Sequence, residues 1–97
     1  MTREEAITRL KNSEPLLKEA GITHLYLFGS TARGEARPES DVDLFFDFER
    51  ENFGVFDLMD VKELASEILG TKIDMIPRDG LHHMLRPKIE ASALQVF

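Results

Sequence analysis

The octapeptide "DVDLFFDF", Asp41 to Phe48, constrains the fold more than any other stretch. Side chains alternate across a β-strand, so Val42, Leu44, Phe46 and Phe48 share one face while Asp41, Asp43, Phe45 and Asp47 share the other. The first face needs a core to cover it. The second opens with two carboxylates about 6–7 Å apart along the strand, and like charges that close disfavour each other unless something positive lies between them. The pattern therefore predicts a ligand, with divalent cations that also bind phosphate oxygens supplying the missing positive charge. Asp47 is in phase with both but farther along, and reads as an exposed strand-end carboxylate.

Around this strand the chain reads as alternating helices and strands. Thr2 and Glu5 form a capping box, and Ala6, Ile7, Leu10, Leu16, Leu17 and Ala20 recur at roughly helical spacing, predicting helix over most of 3–20. Pro15 lacks the N–H for the bond to residue 11, which predicts a kink near 12–14 with Ser13 as a new cap, and Gly21 closes the helix. "HLYLF" (24–28) is a short strand running into Gly29, and "STARGEARPES" reads as a turn with one helical turn, ended by Gly34 and Pro38. Asp57 and Asp60 are placed to cap a helix carrying Leu58, Val61, Leu64, Ala65, Ile68 and Leu69, with Gly70 as its stop. "TKIDMI" (71–76) follows as a strand ended by Pro77. The tail from Leu81 reads as one or two short helices with a final extended piece at Val96 and Phe97. The expectation is an α/β (α+β) fold, a small mixed sheet with helices packed on it, in one domain spanning residues 1–97. Strand order stays open.

Composition excludes several functions. Net charge is −6, which argues against gripping long nucleic acid through its phosphates and suits a basic protein partner. No apolar run approaches the roughly 20 residues that cross a bilayer, and the first residues, mixed in charge, do not read as a secretion signal. A cytoplasmic location without membrane attachment is expected. There is no Cys, so any metal must be held by oxygen or imidazole, favouring Mg²⁺ or Mn²⁺ over structural Zn²⁺. The adjacent His82 and His83 cannot easily share a metal on a helix and read as surface or partner contacts. Phe45, Phe46, Phe48, Phe53 and Phe56 read as core and loop packing rather than a base-stacking platform, with one of them left open as a cover for an adenine.

Gly29 lets the backbone turn tightly after the first strand and approach a ligand, and the N–H groups and hydroxyls of Ser30 and Thr31 can cradle phosphate oxygens. Arg33 either contacts a triphosphate or anchors the loop to Glu35 or Glu39. Asp74 is the candidate third carboxylate, because the 57–69 helix can return the chain to the same sheet. The alternative is a surface pairing with Lys72.

The stretch "GSTARGEARPESDVDL", Gly-Ser, ten residues, then Asp-x-Asp, resembles the signature of the minimal nucleotidyltransferases of the DNA polymerase beta superfamily, and "KIDMI" resembles the strand with that family's third carboxylate. The resemblance spans about residues 22–76. It implies that Ser30 holds the terminal phosphates of a nucleoside triphosphate, that Asp41 and Asp43 bind two Mg²⁺ ions, and that Asp74 is third metal ligand and base. Stand-alone members resemble antitoxins whose partner is a HEPN-domain ribonuclease toxin, implying transfer of AMP from ATP to a tyrosine hydroxyl of that toxin. Two other functions stand beside this one. One is a non-catalytic module that neutralises its partner sterically; the other is a nucleotidyltransferase acting on a small molecule with help from another subunit.

Overall fold

In the computed structural model, which describes residues 1–35, 41–49 and 51–97, the elements follow the expected order. Helix α1 (Arg3–Asn12) starts at Thr2, whose hydroxyl accepts from the Glu5 N–H at 3.1 Å, and stops at Ser13. Helix α2 (Glu14–Glu19) restarts at once with Pro15 in its first turn, where a missing N–H costs nothing. Ser13 occupies the cap position, yet its side chain makes no capping bond. Strand β1 (Ile22–Phe28) leads into the single turn of α3 (Gly29–Ala32). Strand β2 (Val42–Phe48), helix α4 (Val55–Leu69) and strand β3 (Ile73–Pro77) follow, then a 3₁₀ turn (Arg78–Gly80), α5 (Arg86–Ser92) and the two-residue β4 (Leu94–Gln95).

The four strands form one mixed sheet in the order β3-β2-β1-β4. β1 runs antiparallel to β2 and β4, while β2 and β3 are parallel, as a helical crossover through α4 requires. On one sheet face Leu25, Leu27, Val42, Leu44, Phe46, Ile73 and Met75 meet Ala6, Leu10, Leu17, Val61, Ala65 and Leu69, all at most 4% exposed. The apolar face of "DVDLFFDF" is thus the floor of the core. Phe45 is equally buried but belongs to the other face, where its ring stacks on Tyr26 (centroids 4.7 Å) and leans on Phe28 (5.6 Å). Among the described residues no helix is long and apolar enough to cross a membrane.

Three local expectations are corrected. Helix α4 begins at Val55 with Gly54 as its cap, so Asp57 acts from inside the first turn, its carboxylate accepting the Gly54 N–H at 2.9 Å, and Asp60 is not a cap. Phe56, expected to pack, is 81% exposed because the earlier start turns it outward. The final strand begins two residues before Val96, although Val96 and Phe97 still bond to Leu25. Pro38, predicted to end the loop, lies outside the described residues.

Because Leu44 is fully buried in the middle of the central core face, Leu44→Ala should lower unfolding free energy by about 2–5 kcal/mol. Urea denaturation followed by circular dichroism measures this.

Candidate active site

The site begins with a backbone contact. Gly29 takes φ +76° at the end of β1, and a Cβ placed there would overlap Asp43 Oδ2 and lie 3.1 Å from Cγ. Any other residue would therefore face a strained conformation and a collision together. The absent side chain lets the start of α3 sit directly against the Asp43 carboxylate. Ser30 is partly exposed, and its carbonyl accepts the Glu35 N–H at 2.9 Å. The far end of α3 is tied to α1, where Arg3 Nη1 donates to the Ala32 carbonyl at 3.3 Å.

Thr31 departs from the expectation of a phosphate-facing hydroxyl. It is 1% exposed, and its Oγ1 is buried without a partner among the described residues. Only its backbone remains suited to the role assigned from sequence. Arg33 is bonded through Nε to Glu35 Oε2 at 3.1 Å, the loop-anchoring alternative, with both side chains largely exposed. Glu39 lies outside the described residues.

Asp43 sits on the central strand with Phe28 of β1 opposite on one side and Asp74 of β3 opposite on the other. Parallel pairing in register puts both aspartates on the same side of the sheet, away from the core. Burial pushes the Asp43 carboxyl above its ordinary pKa of 3.8, the negative charges of Asp74 and then Asp41 push it further, and Arg33 opposes them. Asp74 is exposed on the edge strand, and no ion pair joins it to Lys72 among the described residues. Asp41 is exposed just before β2 and acts on Asp43 through space.

The structure therefore brings Asp43, Asp74 and Gly29 together, with Asp41 and Arg33 close enough to be felt. Among the described residues no three His, Cys, Asp or Glu side chains already enclose a metal position. The donor set nonetheless fits a hard divalent cation, since it consists of carboxylate oxygens whose mutual repulsion a cation would relieve.

Sequence reasoning missed one pair on this face. Asp47, read as a free strand end, accepts two bonds from Arg78, Nε to Oδ1 at 2.7 Å and Nη2 to Oδ2 at 3.0 Å. The available signal was spacing, because Arg78 follows Asp74 by the same four residues that separate Asp47 from Asp43.

A small mixed sheet with carboxylates abreast on neighbouring strands, beside a Gly-Ser turn, is the framework of a nucleotidyltransferase. The model of the nucleotidyltransferase domain family matches residues 8–96, and the chain belongs to that family of enzymes. "Protein adenylyltransferase MntA" of Thermococcus cleftensis is 33% identical over 82 residues, 84% of this chain and 82% of that one. The solved structure of a "putative minimal nucleotidyltransferase" superposes with TM-score 0.83 at 32% identity, covering 97% of this chain and 95% of that one. A chain from the complex of a tri-AMPylated Shewanella oneidensis HEPN toxin with its MNT antitoxin gives TM-score 0.64, covering 90% of this chain and 68% of that one, and at 14% identity shares the fold.

Two outcomes follow from this geometry. With its pKa raised on folding, Asp43 leaves the folded state holding more protons than the unfolded state at pH values from the unfolded pKa up to the folded one. Stability therefore falls as pH rises through that window, and the ionised carboxylate is a cost at neutral pH. Asp43→Asn should accordingly raise the Tm of the ion-free protein at pH 7, the gain shrinking as pH drops below the window, which thermal scans in chelator at several pH values would register. Gly29→Ala should cost at least about 1–2 kcal/mol of stability from its backbone conformation alone, read by the same denaturation assay.

Proposed function

We propose that the chain is a protein adenylyltransferase, moving AMP from ATP to a hydroxyl, that of a tyrosine, on a partner toxin of the HEPN class, and thereby acting as the antitoxin. The single observation that carries the reading is the placement of Asp43 and Asp74 abreast beside the Gly29 turn. Support for the acceptor comes from the relatives, one named a protein adenylyltransferase and another a member of a complex with an AMPylated HEPN toxin. Residues 1–97 would act as one catalytic domain, in the cytoplasm where ATP is abundant.

In this reading Asp41, Asp43 and Asp74 would hold Mg²⁺, two ions, which when bound supply neutralisation of the triphosphate and of the leaving pyrophosphate. The backbone N–H groups at Gly29, Ser30 and Thr31, with the Ser30 hydroxyl, orient the terminal phosphates. Arg33 adds positive charge at the mouth of the loop. The acceptor oxygen forms a bond to the α-phosphorus, the bond from that phosphorus to the bridging oxygen breaks, and pyrophosphate leaves in line. The hydroxyl proton passes to Asp74, which its edge position leaves accessible to an incoming acceptor.

The test is mass spectrometry of the purified chain and its partner toxin incubated with ATP and Mg²⁺. The partner should gain adenylate; chelator should prevent it, and Asp41→Ala with Asp43→Ala should cut the rate by at least about 100-fold. A double variant that still protects cells while transferring nothing would instead establish steric neutralisation.

A further inference from the structure

The parallel β2–β3 ladder carries a like-charge pair at one end and an opposite-charge pair at the other. Asp43 stands beside Asp74, and the register continues through Leu44 beside Met75, Phe45 beside Ile76 and Phe46 beside Pro77. One step on, Asp47 receives the bidentate bonds of Arg78. The guanidinium is also fixed from two further directions. It lies over the rings of Tyr26 and Phe45, 4.7 Å and 5.2 Å from their centroids, and its Nη1 stands 3.5 Å from Glu90 Oε2 on α5. The Arg78 and Asp47 side chains are only 23% and 30% exposed, so water screens the pair less than an open surface bridge.

We propose that Arg78 is a positioning residue for the transfer reaction: clamped to Asp47, it fixes the β2–β3 register that sets Asp74 beside Asp43. The inference rests on the nucleotidyltransferase reading. Electrostatics at the Asp43 end push β3 away, and β3 is an edge strand with a neighbour on one side only. A slip of one residue would turn Asp74 from the open face to the core face. The bond at the Asp47 end resists that slip because a bidentate arginine fixes both distance and orientation, and the aromatic pair beneath attracts the cation. Arg78 contacts Asp47, Tyr26, Phe45 and Glu90, none of them a residue assigned to nucleotide or metal, so it acts through the strand that bears Asp74.

This predicts a split between catalytic constants. In Arg78→Ala, assayed where circular dichroism shows the variant fully folded, kcat for adenylate transfer should fall about 10- to 100-fold while KM for ATP stays within about 3-fold, since the phosphate-binding loop is untouched. Arg78→Lys, which keeps the charge but not the fork, should recover only part of kcat. A cross-strand NMR measurement supplies an arm independent of activity. Backbone contacts between the Asp43 and Asp74 rows should weaken, and amide exchange along β3 should quicken, in Arg78→Ala, with β1–β2 contacts unchanged. Folded Arg78→Ala with wild-type kcat, or with intact contacts between these rows, overturns the proposal. Should the wild type transfer no adenylate, the adenylyltransferase reading fails by itself, and the NMR comparison alone decides whether Arg78 sets the register.

Discussion

Two aspartates held side by side on adjacent parallel strands are the constraint on which the rest of the molecule turns. Ionised carboxylates at strand spacing repel, and partial burial of Asp43 denies it much of the water that would soften the effect. Among the described residues Arg33 opposes that repulsion, but from a largely exposed position and shared with Glu35. The stabilisation comes from the opposite face, where each fully buried Leu, Val or Phe contributes roughly 1.5–3 kcal/mol. The pair survives because the strands bearing it are the strands that build the core.

That division explains the two-faced sheet. One face carries apolar residues, Phe46 among them, under three helices, and its packing holds the strands together. The other carries a small aromatic patch, Tyr26, Phe28 and Phe45, roofed by Arg78. This patch packs around Phe45 and leaves the neighbouring carboxylates, Asp43 and Asp74, on the open side. A helix packed there would exclude any ligand. A bare polar surface would leave the strands without support beneath the carboxylates.

Features set by local chemistry were legible in the sequence. The Gly-Ser turn, the alternation of 41–48, the α1–α2 break at Pro15 and the helical crossover from β2 to a strand bearing Asp74 all rest on a few neighbouring residues or one periodicity, and the structure has each of them. Features that depend on which strand lies beside which were not. Asp47 looks like a solvated strand end until β3 is placed next to β2, and Arg78 looks like an ordinary residue after a proline until the same step is taken. The burial of Thr31 has a similar origin, since a one-turn helix presents different faces depending on how it lies on the sheet. Phe56 was misjudged for a smaller reason: the cap of α4 came from Gly54 and an inside Asp57, which rotated the first turn.

The same topology separates the roles of the two central carboxylates. Asp43 lies on the interior strand, flanked by Phe28 and Asp74 and approached closely by Gly29, so it is confined and partly buried. Asp74 lies on an edge strand, is exposed, and has a strand neighbour on one side only. A group that must hold charge in a fixed place is better served by the first position, and one that must meet an incoming hydroxyl and take its proton by the second. In the proposed reaction the edge position suits Asp74 to the proton-accepting role proposed for it, because a large partner could bring its acceptor to the sheet's edge far more easily than to its middle.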